Sequence, residues 1–304
     1  MMNINKVGQN AAKVGIIWCL MAMPAYSLTF AIQPGSDIVG AVQTATVQPG
    51  ENFSGIGQKL DVGYHELCEA NPDINPEHPG AGTAIIIPTQ YILPSGPRRG
   101  IVINLAELRL YYFHRDQALV TTHPISIGRR EWETPLGSGK IIEKVKNPTW
   151  HPPESIRAWY EAHDKELPAF IPPGPDNPLG KYALKLSIPG YLIHGTNNVA
   201  VGIGVRSSSG CIRMLPVDIE SLFYKVSVGD PIRIVHKPYK IGRHSNRVYA
   251  ETHEPLTGNY YEQQDHQDIL EQALEEARLS GARFDSELAM EALERSHGYP
   301  TLIE

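Results

Sequence analysis

The sequence predicts a mostly β protein with a small α+β module ahead of its main domain and a helical segment behind it. Three observations support this class. The 304 residues include 27 glycines and 25 prolines, a density of turn-formers that suits strands and loops and not a helical bundle. Between residues 98 and 238, short β-branched runs alternate with turn signals. Beyond residue 239 the chain turns acidic and its apolar spacing becomes helical. Hydrophobic residues make up 41% and charged residues 20%, enough for a real core and too apolar for a disordered chain. The net charge of −6 offers no basic surface, which excludes nucleic acid as a partner.

Residues 1–27 read as a secretory signal, cleaved on export. Lys6 and Lys13 supply the positive start. Val14 to Met23 is apolar but too short to span a bilayer, and Ala25-Tyr26-Ser27 offers small residues at a cleavage site. An uncleaved membrane anchor is the competing reading. Cleavage removes Cys19 and leaves Cys68 and Cys211, which an exported protein can pair or keep as thiols. The N-terminal segment, residues 28–44, holds Ile32-Gln33-Pro34-Gly35, echoed by Val47-Gln48-Pro49-Gly50. That echo is too short for a solenoid repeat.

Residues 45–89 read strand, helix, helix, strand. Ala45 to Val47 leads into the turn Pro49-Gly50 and a helix start at Glu51-Asn52-Phe53. Gly63 interrupts, Tyr64 to Ala70 forms a second helix, Asn71-Pro72 ends it, and Ala84 to Ile87 is a short buried strand before Pro88. On Val47-Gln48-Pro49-Gly50-Glu51-Asn52, Asn71-Pro72, Gly82 and Ile85-Ile86-Ile87-Pro88, this unit resembles the LysM carbohydrate-binding module. The resemblance implies binding to N-acetylglucosamine-containing glycans such as peptidoglycan; a scaffold that binds nothing is the plain alternative. Cys68, beside Leu67 on the apolar helix face, reads as a small buried hydrophobe.

A linker follows, marked by Pro94, Gly96 and Pro97. Residues 98–238 then read as mostly β. Strands are expected at Ile101 to Asn104, Leu108 to Phe113, near Pro124 to Ile127, and Ile141 to Val145 after a turn at Gly137 and Gly139. A Pro-rich excursion between Pro148 and Pro178 contains a helix around Glu154 to His163 and reads as a functional flap. Strands at Tyr182 to Ile188 and Tyr191 to His194 come next. Pro216 opens a helix with Asp218 and Glu220 in its first turns, and Pro231 to Val235 is a last strand. Residues 239–304 form an acidic, helical extension. It reads either as a helical pair packed on the main domain or as a docking surface for a protein partner.

The chemistry concentrates in Tyr191-Leu192-Ile193-His194-Gly195-Thr196 and Val205-Arg206-Ser207-Ser208-Ser209-Gly210-Cys211-Ile212-Arg213-Met214. A thiol of ordinary acidity is mostly protonated at neutral pH and needs a nearby base to attack a carbonyl. His194 can be that base. Gly210 lets a carbonyl approach the backbone, whose N–H groups can hold an oxyanion.

These two segments resemble the L,D-transpeptidase catalytic domain, also called the YkuD domain. Further matches are Asn104 to Tyr112, Gly128-Arg129, Thr134-Pro135-Leu136-Gly137 and Pro178-Leu179-Gly180. With the signal and the LysM-like module, the likeness is to the periplasmic group of Gram-negative bacteria. The resemblance implies a β-sandwich, with Cys211 as nucleophile and His194 as its base. Ser208, Ser209, Gly210, Arg213, Gly195 and Thr196 become supporting residues of the motif and oxyanion hole, and Tyr191, Tyr182 and Asn197 line the substrate pocket. It implies no metal and no cofactor. One position departs: most members carry His where this chain has Ser209.

The implied reaction is thioester formation on a peptidoglycan tetrapeptide stem. An acceptor amine then opens the thioester, either a second stem's diaminopimelate, giving a 3→3 cross-link, or the lysine of an outer-membrane lipoprotein. Hydrolytic detachment of lipoprotein and a silent wall-binding adaptor are the alternatives. A serine acyltransferase is excluded because no Ser-x-x-Lys occurs, and a zinc amidase is disfavoured because no His-Glu-x-x-His occurs.

Overall fold

The computed structural model describes residues 27–199, 203–257, 266–279, 281, 283–295 and 297–303. The expected signal, up to Tyr26, lies outside them, as do residues 262–265 of the acidic run.

Three short strands open the chain: β1 (Leu28–Ala31), β2 (Ile38–Gly40) and β3 (Gln43–Thr46). Helices α1 (Phe53–Leu60) and α2 (Tyr64–Ala70) follow, then β4 (Ala84–Ile87), antiparallel to β3. This is the strand–helix–helix–strand order read from the sequence. The side chain of Asn52 caps α1 by accepting the Gly55 N–H at 2.9 Å. Asn71 ties α2 to β4: its amide donates to the carbonyls of Leu67 and Ile86, both at 2.9 Å, and accepts the Ile86 N–H at 2.7 Å. Phe53, Ile56, Val62, Leu67 and Ile85 bury the small core beneath. Cys68 packs half-buried against that core, and burial pushes its thiol up to about 11.

The stretch read as linker begins as a strand. β5 (Gln90–Ile92) pairs with β2, and Tyr91, Ile92 and Leu93 are buried. Their apolar run, and not the prolines that follow, decides the local structure.

The main domain contributes β6 (Gly100–Asn104), β7 (Arg109–Phe113), β8 (Leu119–Pro124), β9 (Ile127–Gly128), β10 (Gly137–Lys146), α3 (Glu154–Glu161), β11 (Tyr182–Leu186), β12 (Leu192–His194), β13 (Arg206–Ser208), β14 (Ile212–Arg213), α4 (Pro216–Lys225) and β15 (Pro231–Val235). Nine strands join in the order β1-β8-β7-β6-β15-β10-β11-β12-β14. The β6–β15 and β12–β14 pairs are parallel. Strand β10 pairs with β15 through Gly137–Lys140 and with β11 from Ile141 onward, with a register shift between Ile141 and Glu143. One strand thereby serves two halves of the sheet, as corner strands of sandwiches do. Ile101, Ile103, Leu110, Leu184, Ile193, Ile212 and Ile232 fill the core beside Ile219 and Leu222 of α4.

Two strand expectations move. The third strand runs at Leu119–Pro124, earlier than Pro124 to Ile127, because it is paired on both edges, with β7 and β1. Gly137 and Gly139 lie within β10 instead of bounding a turn before it.

The C-terminal extension contains the two expected helices, α5 (His266–Leu279) and α6 (Ser286–Glu294) after the hairpin β16 (Tyr239–His244) and β17 (Arg247–Thr252); β18 (Thr301–Leu302) completes a three-stranded sheet. The hairpin turns on Ser245 and Asn246, both at positive φ (50° and 66°), the geometry that two-residue hairpin loops favour. Among the described residues no helix is long and apolar enough to cross a membrane.

Candidate active site

Parallel pairing of β12 with β14 sets Ile193 against Ile212 and His194 against Arg213. His194 ends one strand and Cys211 immediately precedes the other, so two segments distant in sequence meet at one edge of the sheet. The Cys211 side chain is half-buried. Its thiol donates to the Gly190 carbonyl at 3.8 Å.

Side chains hold the Cys211 loop from both ends. The Ser208 hydroxyl donates to the Cys211 carbonyl at 2.5 Å and accepts the Gly210 N–H at 3.2 Å. The Thr134 hydroxyl donates to the Gly210 carbonyl at 2.7 Å and accepts the Gly128 N–H at 3.0 Å. Arg213 donates to the Ser207 hydroxyl at 3.3 Å. Gly210 has φ +103°, and a Cβ there would lie 3.1 Å from the Tyr191 ring, so glycine is required on both counts. The Gly210 N–H is spent on Ser208, which leaves those of Ser209 and Cys211 as the loop's donors for an oxyanion.

His194 is 5% exposed. Its Nδ1 lies 2.6 Å from the Gly195 carbonyl. A carbonyl only accepts, so Nδ1 carries the proton and Nε2 keeps its lone pair. Burial, and next the charge of Arg213, push the imidazole down to about 4. Burial pushes the Cys211 thiol up, opposed by a backbone hydrogen bond from Leu192 and by Arg213. Both shifts favour the uncharged form of the side chain.

The structure gathers Cys211, His194, Ser208, Gly210, Arg213 and Tyr191 around this edge. Gly195 and Thr196 form the turn behind His194, where the Thr196 hydroxyl accepts the Asn198 N–H at 3.0 Å. Ser209 is exposed on the loop and Asn197 on the turn beyond Thr196. Tyr182 requires a correction. Its ring is 4% exposed and packs on Phe223, and its hydroxyl donates to Glu220 at 2.7 Å. Ala183 stands opposite His194, and alternation along the strand turns Tyr182 to the other face. It is a core residue against α4.

Sequence reasoning quoted Thr134 within a pattern but gave it no role; its brace on Gly210 is the role. The contributions of the Gly190 carbonyl and Leu192 N–H are backbone and leave no side-chain signal. The Pro-rich excursion also reaches the site. Trp159 of α3 meets Trp132 edge-on at 6.5 Å, and Arg129 lies 5.2 Å over both rings. The Trp132 carbonyl stands against the Cys211 loop, 3.6 Å from where a Gly210 Cβ would be.

Residues 98–234 match the L,D-transpeptidase catalytic domain family, and residues 45–88 match the LysM domain family. Three curated relatives come from Escherichia coli K12. The chain is 43% identical over 244 residues to probable L,D-transpeptidase YcfS, covering 78% of this chain and 76% of the relative. It is 38% identical over 287 residues to probable L,D-transpeptidase ErfK/SrfK, covering 91% of each. It is 40% identical over 230 residues to probable L,D-transpeptidase YbiS, covering 73% and 74%.

Proposed function

This chain belongs to the L,D-transpeptidase (YkuD) family, and from that premise we propose that it is exported to the periplasm and transfers peptidoglycan tetrapeptide stems through a thioester on Cys211. It is an L,D-transpeptidase with a LysM domain, and both domains point to peptidoglycan as what it binds.

The observation that carries the mechanism is the state of His194, buried, neutral, and fixed by the Gly195 carbonyl with its Nε2 lone pair free. In the first step the Cys211 sulfur attacks the carbonyl of the third stem residue, the L-centre of diaminopimelate. The thiol proton passes to Nε2. Negative charge collects on the carbonyl oxygen, toward the N–H groups of Ser209 and Cys211. The bond to the terminal D-alanine breaks, and its amine takes the proton from Nε2. In the second step an acceptor amine gives a proton to Nε2, attacks the thioester and expels the sulfur, which recovers its proton. The acceptor is a second stem's diaminopimelate or the lysine of an outer-membrane lipoprotein.

The test is mass spectrometry of products from purified tetrapeptide muropeptide, with and without lipoprotein. Loss of D-alanine with a new amide is the expected result, and the mass of that product identifies the acceptor. Tripeptide without a new amide, or lipoprotein released from a preformed conjugate, identifies a hydrolase. An unchanged muropeptide identifies a silent adaptor.

A further inference from the structure

We infer that the α-ammonium group freed at Leu28 by cleavage after Ser27 docks in a buried site formed by Asp61 and Asp218, locking the mature fold. This rests on the export reading above.

Asp61 caps the end of α1, Asp218 lies in the first turn of α4, and His123 belongs to β8. Their ligand atoms come within 4.8 Å of one another, at exposures of 2%, 2% and 0%. Asp61 Oδ1, Asp218 Oδ2 and both nitrogens of His123 have no hydrogen-bond partner. Buried carboxylates are costly without a cation.

A second cluster shows what is missing. Glu107, Glu251 and His253 form a similar buried group, and there the Lys240 ammonium lies 2.8 Å from Glu107 and 2.7 Å from Glu251. Among the described residues no lysine or arginine nitrogen makes an ion pair with Asp61 or Asp218; the imidazole of His123 lies 3.9 Å from Asp61 and 3.2 Å from Asp218. The nitrogen that hydrogen-bonds Asp61 is the backbone N of Leu28, 3.1 Å from Oδ2. Strand β1 fixes it there, with Leu28 opposite Thr122, beside His123. Leu28 is also the first residue after the expected cleavage site. Cleavage replaces one neutral N–H donor by an ammonium with three donors, without moving the strand.

Charge counting separates an ammonium from a metal ion. Glu66 and Arg109 neutralise each other across a buried ion pair. The remaining ionisable groups at the site are Asp61, Asp218, His123, whose Nδ1 lies 3.2 Å from Asp218 Oδ1, and Lys225, which acts electrostatically on both carboxylates from the end of α4. With the imidazole neutral, two ionised carboxylates and Lys225 sum to one negative charge, which an α-ammonium balances and a divalent cation overshoots. In the chain with Ser27 attached, burial and the neighbouring Asp218 raise Asp61 to about 7, as expected of a carboxyl that lacks its cation.

The experiment uses the full exported protein, its amino terminus identified by sequencing, and a second preparation that retains Ser27. A chain beginning at Leu28 is expected to melt roughly 5–15 °C above the Ser27-extended chain. Its α-amine should titrate above the ordinary range of about 7.7–8.0 and resist acylation at pH 8. Asp61→Asn should erase the difference between the two chains; if it does not fold, the amine titration and acylation of the unmutated protein decide alone. Equal melting with an ordinary, reactive amine overturns the inference, as does a tightly bound equivalent of divalent metal found by elemental analysis. An exported chain that begins elsewhere overturns the cleavage site and with it the docking. A chain that retains residues 1–27 overturns the cleaved-export reading itself.

Discussion

Two histidines, equally hidden from water, are treated in opposite ways. His194 in the active site is buried without a carboxylate and is pushed down to about 4. His253 at the junction lies between Glu69 and Glu251, each at 2.9 Å, and is raised to about 10. Burial next to Arg213 disfavours the proton on His194; burial among carboxylates holds it on His253. The difference suits the two places. A base must be empty when the thiol proton arrives. The junction must stay charged, because it binds three parts of the chain: Glu69 from α2, Glu107 beside β7, and Lys240, Glu251 and His253 from the C-terminal hairpin and its end.

The largest test of the first half is Cys211→Ala, which should abolish both acylation and transfer. A carbapenem should add one adduct mass to the wild type and none to this variant in intact-protein mass spectrometry; an adduct that persists removes Cys211 from its role. His194→Ala should slow acylation roughly 10²–10⁴-fold, read by single-turnover kinetics. Neither change should alter melting much, since neither side chain carries structural charge.

The second half breaks at Lys240→Met. It leaves Glu107 and Glu251 buried without their shared cation, and loss of one partner from a buried ion pair costs about 3–5 kcal/mol. Chemical denaturation should show this loss. An unchanged midpoint would mean that the network contributes nothing net.

Acid and alkali should separate the two histidines further. His194 has a folded value near 4, below its ordinary 6.5. As pH falls through 6.5 the unfolded chain takes up a proton that the folded one refuses, so stability declines until about 4. The shift corresponds to about 3 kcal/mol. His253 runs the other way. Its contribution is full below 6.5 and is lost as pH rises through about 10. In melting curves against pH, His194→Gln should flatten the acid side alone and His253→Gln the alkaline side alone. The same shift puts the acid limb that His194 imposes on kcat/KM near 4 instead of 6.5.

Much of the candidate site was legible because His194 ends one apolar strand, Cys211 immediately precedes another, and both carry glycine and hydroxyl neighbours. Asn71-Pro72 was legible for a related reason, since one amide serves both a helix and a strand. Tyr182 was misplaced because nothing local to it says which face of its strand meets His194; only the register against β12, which sets Ala183 opposite His194, shows that. The hairpin at Tyr239–Thr252 was missed although Ser245-Asn246 is a turn signal, since the acidic helices beyond it set the reading of the whole extension. The junction was not legible at all. Its charges come from segments far apart in sequence, and nothing local tells a buried glutamate from a solvated one.

The smallest expected effect concerns Ser209, which stands where the resemblance leads one to expect His. Its side chain is exposed, while the loop is held by its neighbours: Ser208 binds the Cys211 carbonyl and the Gly210 N–H, and Thr134 binds the Gly210 carbonyl. What Ser209 offers the reaction is its backbone N–H, and alanine keeps that. Ser209→Ala should change kcat/KM less than about threefold, which is under 1 kcal/mol of transition-state stabilisation. Ser208→Ala removes two loop hydrogen bonds and should cost more, about 5- to 30-fold for one to two kcal/mol lost. The two variants therefore test whether the loop is built from side chains at 208 and from main chain at 209. A Ser209→Ala loss as large as that of His194→Ala would make its hydroxyl part of the proton path and undo this division. Ser209→His restores the family's imidazole beside the thiol. If the base is His194 alone, this variant should leave the acid limb near 4 in place.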